Sequence, residues 1–280
     1  MPELPEVETL RKGFEKYVVG HKILEVEVRD KKLLVGYEKY VVGKKIIAAR
    51  RFGKGLVIDL SNGSSIAIHI KLTGQFVFRS PAVNNLKLPK QLIDGIPSKF
   101  TRVIFKFDRG AVLYFNDVRR FAWMKVVPTS EVGRLPFFAG MGPEPFKDLG
   151  FEYFQTMIKK SSGSVKSALM DQKKIGGVGN IYANDALNLA RIDPRRKGAG
   201  LSTEEIKKLF DAVHTVLKKG LKYGGATEIN YVNILGLVGQ YQNHFLVYDR
   251  EGEKCKNCGG IIKKIKIAGR GTYFCPNCQV

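Results

Sequence analysis

Four cysteines near the end of the chain have the spacing of metal ligands. They form two Cys-x-x-Cys pairs, Cys255 with Cys258 and Cys275 with Cys278, separated by sixteen residues. Two such pairs are typical of a zinc ribbon, in which four thiolates hold one structural Zn²⁺. Two disulfides or an iron–sulfur cluster would use the same residues, but the chain shows no export signal to favour disulfides. We therefore expect one structural zinc ion.

A second group of reactive side chains lies at the N-terminus, where Pro2 and Glu3 follow Met1 and Glu6 comes one helical turn later. If Met1 is removed, Pro2 carries a secondary amine. An α-amino group has a pKa of about 7.7–8.0, so an appreciable fraction is unprotonated near neutrality and can act as a nucleophile. The same residues also suit a plain helix start, which favours proline and acidic side chains. The residues alone leave both interpretations open.

Hydrophobic periodicity predicts the elements that position these residues. The first 125 residues indicate an antiparallel sheet domain with one or two helices, and the later chain has helical spacing, including a capping box at Ser202 and Glu205. The predicted elements are a helix at 3–19, hairpins at 56–60 with 65–70 and 103–107 with 111–115, a loop at 80–98, and helices at 164–172 and 180–190.

One short repeat occurs within the sheet region. The sequence KYVVGHKI at 16–23 recurs as KYVVGKKI at 39–46. A solenoid would need several copies. We interpret the pair as one turn into a strand that is used twice.

The charge balance points to a polyanionic partner. The chain has 47 Lys and Arg against 26 Asp and Glu, a net charge of +21. Nucleic acid is the expected partner, with a lysine-rich solvated surface or anionic lipid as alternatives. No apolar stretch approaches the roughly 18 residues of a membrane span, and the N-terminus is acidic, unlike a secretory signal. We expect a cytoplasmic protein, associated with the nucleoid if it is bacterial.

Three separated motifs give a more specific resemblance. The opening MPELPEVETLRKGFEK, the segment GVGNIYANDAL at 177–187 and the ribbon sequence AGRGTYFCPNC occur in the order found in the formamidopyrimidine-DNA glycosylase family, also called MutM. The chain resembles that family nearly end to end. The resemblance implies an α+β fold with an N-terminal antiparallel β-sandwich and flanking helices. A helix–two-turn–helix domain with a four-cysteine zinc-ribbon hairpin would follow. The implied boundaries are a catalytic domain at 1–130, a linker at 131–150, a helical DNA-binding domain at 151–235 and the ribbon at 236–280.

The resemblance also assigns roles to individual residues. Pro2 would be the nucleophile and Glu3 the general acid/base, supported by Glu6. Lys54 and Arg270 would bind phosphate beside the lesion and assist elimination. The residues that would contact DNA, including those that fill the gap left by an extruded base, are His69, Leu72, Arg119, Phe121, Lys166 and Asn180.

Alternatives exist for several of these residues. Leu72 and Phe121 could belong to the hydrophobic core, Asn180 could be a plain helix cap, and a lone lysine such as Lys54 is usually a solvated surface charge. The glycine-rich turn at 173–179 could bind phosphate through its backbone N–H groups or could be only a turn.

The sequence departs from the family pattern in places that bear on lesion choice. His69-Ile70-Lys71-Leu72-Thr73-Gly74 stands where His-Leu-Gly-Met-Ser-Gly is common, and Val118 and Ala122 replace a proline and a glycine. Residues 99–102 lack the usual histidines, and 224–245 differs from the usual loop over an oxidised purine. The chemistry assigned to Pro2 and Glu3 is unaffected by these departures, which bear on the choice between oxidised purines and oxidised pyrimidines.

We therefore expect a monomeric, bifunctional DNA glycosylase and abasic-site lyase. It would remove oxidised purines from double-stranded DNA and then cut the strand by β,δ-elimination. A preference for oxidised pyrimidines is the first alternative. A non-catalytic zinc-ribbon protein that binds damaged DNA, or one linked to transcription or translation, is the second.

Overall fold

The computed structural model describes residues 1–35, 38–83, 87–92 and 95–280. The chain divides into two compact units, Met1–Ala139 with Leu221–Gln242 and Gly140–Gly220 with Asn243–Val280. Within the described ranges no helix is long and apolar enough to cross a membrane.

The first unit is built mainly from strands. Its described helices are α1 (Leu4–Tyr17), α2 (Glu38–Val41) and α3 (Pro136–Ala139). Its described strands are β1 (Ile23–Val28), β2 (Leu34–Val35), β3 (Ile46–Phe52), β4 (Gly55–Leu60), β5 (Ser64–His69), β6 (Gly74–Arg79), β7 (Thr101–Phe107), β8 (Val112–Asp117) and β9 (Trp123–Pro128).

These strands form two sheets around one core. One sheet has the order β1-β7-β8-β6 and the other β2-β9-β5-β4-β3. The apolar face of α1, including Leu10 and Phe14, belongs to the same buried cluster as Ile66 and Phe76 from the two sheets. The predicted antiparallel sandwich is confirmed, with one parallel pair, β2 beside β9.

Both sheets are also covered on an outer face, which explains why β4, β5 and β6 are buried along their whole length. Trp123 and Phe138 pack with Val57 on one sheet, and Leu92 packs with Val77 on the other. Leu92 lies in the segment predicted as an exposed loop, so that prediction is wrong at this residue, because Leu92 covers β6. Residues 84–86 and 93–94 of the same segment lie outside the described residues.

The short repeat is confirmed as one turn used twice. Gly20 and Gly43 both adopt a positive φ, 95° and 80°, before β1 and β3. The N–H of Gly20 donates to the carbonyl of Ile46 and that of Gly43 to the carbonyl of Ile23, both at 2.8 Å. The two copies therefore pair with each other in a reciprocal way.

The second unit is helical and ends in a hairpin. Its elements are α4 (Phe151–Lys159), α5 (Val165–Met170), α6 (Asn180–Leu189), α7 (Thr203–Lys222, whose end belongs to the first unit), β10 (Lys263–Ile267) and β11 (Arg270–Phe274). The predicted capping box is present at α7. The N–H of Glu205 donates to Ser202 Oγ at 3.2 Å, and the N–H of Ser202 donates to Glu205 Oε2 at 2.7 Å.

A row of amide side chains on α6 binds the C-terminal hairpin. Asn184 Oδ1 accepts a hydrogen bond from the N–H of Tyr273 at 2.8 Å, and Asn188 Nδ2 donates to Gln279 Oε1 at 2.9 Å. Because residues four apart share a helix face, this spacing holds the ribbon along one side of α6.

Two segments pack with the sandwich although the predicted boundaries place them elsewhere. Val132 and Phe138, from the predicted linker at 131–150, are buried against the five-stranded sheet. The segment Leu221–Gln242 also belongs to the first unit, because Tyr231 and Ile234 enter its core. The other domain boundaries remain a prediction.

Candidate active site and DNA-binding residues

The first turn of α1 gathers the predicted catalytic residues. Pro2 is buried, Glu3 is 3% exposed at the helix N-cap and Glu6 is 1% exposed. The N–H of Glu3 donates to Glu6 Oε2 at 2.7 Å. The carboxylate of Glu6 therefore has two effects. It accepts an N–H group at the start of α1, and it fixes the backbone that carries the predicted catalytic residues Pro2 and Glu3.

Glu6 also binds the segment that departs from the family pattern. Its Oε1 accepts the N–H of Ala226 at 2.7 Å, and its carbonyl accepts the hydroxyl of Tyr231 at 3.2 Å. Gly225 has a φ of +86°, and a Cβ there would lie 2.8 Å from Glu6. Burial, followed by the charge of Glu6, raises the pKa of Tyr231 well above its usual value, so its hydroxyl stays a donor. Hydrophobic periodicity does not predict this contact, and the pair Gly224-Gly225 is the local sequence feature that accompanies it.

His69 is held as a neutral imidazole in the first unit. It is 3% exposed at the end of β5, and its ring lies edge-on to Phe137 with centroids 4.6 Å apart. Its Nδ1 is 3.0 Å from the N–H of Lys71, which can only donate. Nδ1 must therefore be the acceptor, and the proton lies on Nε2. Burial, then the charges of Lys71 and Lys54, lowers the pKa of His69 to about 3.

Lys54 is not a solvated surface lysine. It lies in the tight turn between β3 and β4 and is 4% exposed. Its charge is one cause of the lowered pKa of His69, so Lys54 and the predicted DNA-contacting residue His69 belong to one neighbourhood.

The residues predicted to fill the gap left by an extruded base lie on two exposed loops. Leu72 is 40% exposed and Phe121 is 53% exposed, so the alternative that they are core residues is wrong. The guanidinium of Arg119 lies 4.6 Å from the centroid of the Phe121 ring, in a cation–π contact. The exposed side chain of Leu72 and the stacked pair of Arg119 and Phe121 therefore lie at the same end of the sandwich.

Two of the predicted DNA contacts in the second unit, Lys166 and Asn180, donate hydrogen bonds to the ribbon hairpin. Lys166 is 1% exposed, and its Nζ donates to the carbonyl of Gly271 at 3.0 Å and to Thr272 Oγ1 at 2.7 Å. Asn180 Nδ2 donates to the same carbonyl at 3.1 Å. These bonds favour positioning roles. Asn180 is not the N-cap of α6, since Gly179 occupies that place.

Arg270 lies where those bonds converge. It is exposed and begins β11, directly before Gly271. The turn before it has positive φ at Ala268 and Gly269, 48° and 75°, as a tight hairpin turn requires. The hairpin thus presents Arg270 from a backbone that Lys166 and Asn180 hold.

The glycine-rich turn before α6 uses part of its backbone internally. The N–H of Gly177 donates to Gln172 Oε1 at 3.0 Å, and that of Gly176 donates to the carbonyl of Pro143 at 3.0 Å. These two N–H groups are therefore not available to a phosphate.

The four cysteines fit a zinc ion. Their Sγ atoms all lie within 4.8 Å of one another. Cys255 Sγ is 3.8 Å from Cys278 Sγ, and Cys258 Sγ is 3.4 Å from Cys275 Sγ. Tetrahedral ligands at a Zn–S distance of about 2.3 Å lie about 3.8 Å apart, whereas a disulfide needs about 2.05 Å. Four thiolates close the coordination sphere, so the zinc is structural.

A β-sandwich with an acidic N-terminal turn, joined in sequence to a helical unit with a four-cysteine ribbon, defines the class of zinc-ribbon DNA repair glycosylases. Family models match along the chain. They are the formamidopyrimidine-DNA glycosylase N-terminal domain at 1–124, the H2TH domain of the same enzyme at 141–231, and the zinc finger found in FPG and IleRS at 252–280.

Curated relatives match over the whole chain. The formamidopyrimidine-DNA glycosylase of Desulforamulus reducens is 38% identical, covering 100% of this chain and 99% of its own length. That of Listeria monocytogenes is 39% identical over 100% of both. The chain therefore belongs to the formamidopyrimidine-DNA glycosylase family, and it is a DNA N-glycosylase of base excision repair with a structural zinc.

Solved structures agree with this assignment. The Lactococcus lactis Fpg, in complex with DNA containing an abasic site, has a TM-score of 0.87 at 34% identity, covering 99% of each chain. The MutM protein of Thermus thermophilus gives the same TM-score and identity, covering 99% of this chain and 98% of its own. DNA binding follows from this likeness.

Proposed function

We propose that this chain is bifunctional and combines base excision with cleavage of the resulting abasic site. The observation that carries the proposal is the first turn of α1, where buried Glu3 directly follows Pro2 and is held by Glu6. A free Pro2 nitrogen would attack the sugar C1′, the N-glycosidic bond would break and the base would leave with the bonding electrons. The Pro2 nitrogen would then lose its proton and the C1′–O4′ bond of the sugar would break, leaving an iminium at C1′ and a hydroxyl on C4′.

Glu3 would move the protons in this sequence. As general acid it would protonate the opening sugar as the base leaves. The iminium acidifies the C2′ proton, whose removal would expel the 3′ phosphate. A second elimination would expel the 5′ phosphate, with Lys54 and exposed Arg270 binding phosphate. Leu72, Arg119 and Phe121 would fill the gap in the duplex.

Oxidised purines are the proposed substrates, namely 8-oxoguanine and formamidopyrimidines. The Lactococcus lactis Fpg, at 35% identity and a TM-score of 0.86, has been solved with Fapy-dG in DNA. The same protein has also been solved with DNA containing an oxidised pyrimidine, which supports a second candidate preference for this chain.

Borohydride trapping tests the chemistry and the lesion class together. Borohydride reduces the iminium to a stable amine, so wild-type protein should form a covalent adduct on peptide 2–11, identified by mass spectrometry. Duplexes carrying 8-oxoguanine, formamidopyrimidine, thymine glycol or an abasic site are compared. We expect the first two to be trapped faster than thymine glycol; the reverse order would support the pyrimidine preference.

A matched control separates catalysis from binding. A chain with one added, uncleaved residue before Pro2 has no free amine but keeps the rest of the protein. We expect it to bind the abasic duplex and to form no adduct. An adduct elsewhere in wild-type protein, or equal trapping by the blocked chain, would contradict the proposed nucleophile.

A further inference from the structure

Two loops leave the sandwich side by side because of the strand register. Gly74, which begins β6, pairs with Asp117, which ends β8, and His69 at the end of β5 pairs with Trp123 at the start of β9. Residues 70–73 and 118–122 therefore cross between the two sheets at the same end. They carry Leu72 on one loop and Arg119 with Phe121 on the other.

A single buried carboxylate binds both loops. Asp117 is 0% exposed. Its Oδ1 accepts the hydroxyl of Thr73 from the first loop and the N–H of Arg119, at 3.2 Å, from the second. Its Oδ2 accepts the N–H of Ala122 at 2.9 Å. Thr73 completes the link, since its Oγ1 also accepts the N–H of Arg119 at 3.0 Å.

The backbone of Asp117 is fixed as well. Its N–H donates to the carbonyl of Phe100 at 3.0 Å, and its carbonyl accepts Nε of Arg102 at 2.9 Å. Hydrogen bonds to an ionised acceptor are roughly twice as strong as neutral ones. The carboxylate is therefore a rigid anchor for the donors of both loops.

Both loops contain an unfavourable backbone conformation that the hydrogen bonds to Asp117 can maintain. Lys71 and Arg120 have φ values of 51° and 55°, a left-handed backbone that side-chain-bearing residues rarely adopt. Such conformations persist only where the surroundings enforce them. Each lies next to an exposed apolar side chain, Leu72 or Phe121.

We propose that Asp117 and Thr73 are positioning residues that lock the two loops into one preformed wedge. Leu72 and the Arg119–Phe121 pair then enter the duplex together, without first paying the entropy of ordering two separate loops. This inference rests on the proposed function, because it assigns those side chains to the gap left by an extruded base.

Thr73→Val removes the hydroxyl while keeping the shape of the side chain, and Thr73→Ser keeps the hydroxyl as a matched control. Two substrates are compared, a duplex containing 8-oxoguanine and a single-stranded oligonucleotide with an abasic site, which needs no extrusion or gap filling. With Thr73→Val we expect single-turnover excision from the duplex to fall about tenfold, the effect of losing one net hydrogen bond. Trapping of the single strand should be unchanged. Thr73→Ser should match wild-type protein on both.

Equal losses on both substrates would overturn the proposal, because they would indicate a general structural defect, and so would no loss on either. Hydrogen exchange on wild-type protein is a measurement that needs no variant. The N–H groups of Arg119 and Ala122 should be protected without DNA, and exchange at the rate of an unstructured peptide would overturn the preformed wedge. Absence of any wild-type adduct on the single strand would instead contradict the proposed nucleophile.

Discussion

At the scale of single residues, the protein fixes protonation states by hydrogen-bond direction. A backbone N–H cannot accept, so the bond from Lys71 leaves His69 with its proton on Nε2. Burial, followed by the charges of Lys71 and Lys54, lowers the pKa of the ring and so opposes a second proton. His69 can therefore donate a hydrogen bond throughout the neutral range, beside a lysine, without adding charge.

The protonation of His69 predicts a pH dependence of stability. Its pKa is about 3 in the folded protein against 6.5 ordinarily, so below pH 6.5 the unfolded chain binds a proton that the folded chain does not. The contribution of His69 to the free energy of unfolding is fully present above pH 6.5 and is lost as the pH falls toward 3. Between pH 7 and pH 5 the loss from this residue is about 2 kcal/mol. Urea unfolding of wild-type protein and His69→Gln at both pH values measures it. Equal losses in the two proteins would contradict it.

Substitution of Glu3 should slow catalysis, whereas the same substitution at another glutamate of α1 should not. Glu3→Gln keeps a hydrogen-bonding side chain at the N-cap but cannot exchange protons, so base excision should slow by about 10²–10⁴-fold. Glu15→Gln on the same helix, where Glu15 is half exposed and paired with Arg11, is the control and should leave the rate unchanged. Single-turnover excision of 8-oxoguanine measures both. Similar rates for wild-type protein and Glu3→Gln would remove Glu3 from the mechanism.

At the scale of elements, features that depend on local sequence patterns were predicted, whereas contacts between residues far apart in the chain were not. The helix at 3–19 and the hairpin around Asn62-Gly63 were predictable because the apolar spacing and turn residues lie within a few positions. Asp117 was not singled out, although its carboxylate joins two loops, because its partner Thr73 lies 44 positions away. The docking of Tyr231 on Glu6 has the same cause, since their separation is 225 positions.

The outer face of the five-stranded sheet predicts a packing defect. A Cβ at Gly55 would lie 2.6 Å from a ring carbon of Phe138 and 2.8 Å from one of Phe137. Gly55→Ala should therefore destabilise the protein by about 1–3 kcal/mol, the usual cost of overpacking. Gly133→Ala is the control, because its Cβ would meet nothing within 4 Å. Denaturant unfolding compares them, and equal midpoints would show that the rings move aside.

The zinc ribbon predicts a linked loss of folding and DNA binding. Closed four-thiolate sites supply folding free energy directly. Chelation of zinc, or Cys258→Ser, should unfold β10 and β11 and weaken binding of an abasic duplex, because Arg270 loses its hairpin. Circular dichroism and fluorescence anisotropy follow the two effects, and zinc re-addition should restore the chelated wild-type protein. Unchanged affinity after zinc removal would contradict the prediction.

At the scale of the whole molecule, the net charge of +21 and the first turn of α1 have different roles. Phosphate contacts are independent of sequence and weaken with salt, whereas the proposed chemistry depends on an uncharged amine and a buried acid. The charge therefore bears on affinity for DNA of any sequence, and the loops and the N-terminal turn bear on the lesion.

The salt dependence of DNA binding tests the role of one positively charged residue, Arg270. Arg270→Ala should weaken binding to damaged and undamaged duplexes alike and reduce the slope of log affinity against log salt by about 0.9. Arg134→Ala is the control, because Arg134 is 78% exposed and already paired with Glu131. Anisotropy titrations at several salt concentrations give the slopes. An unchanged slope for Arg270→Ala would remove Arg270 from the phosphate contacts.

The paired octapeptides have a consequence for how this chain can vary. Each copy supplies the other with the same donors and acceptors, and the copies differ only at His21 and Lys44. The difference has a local reason, since His21 Nδ1 lies 2.7 Å from Asp108 Oδ1. The chain thus contains a small internal two-fold symmetry that is broken at one position by a neighbour outside the pair. A residue that fits the backbone of one turn therefore fits the backbone of the other, whereas the contact with Asp108 suits a histidine in the first copy.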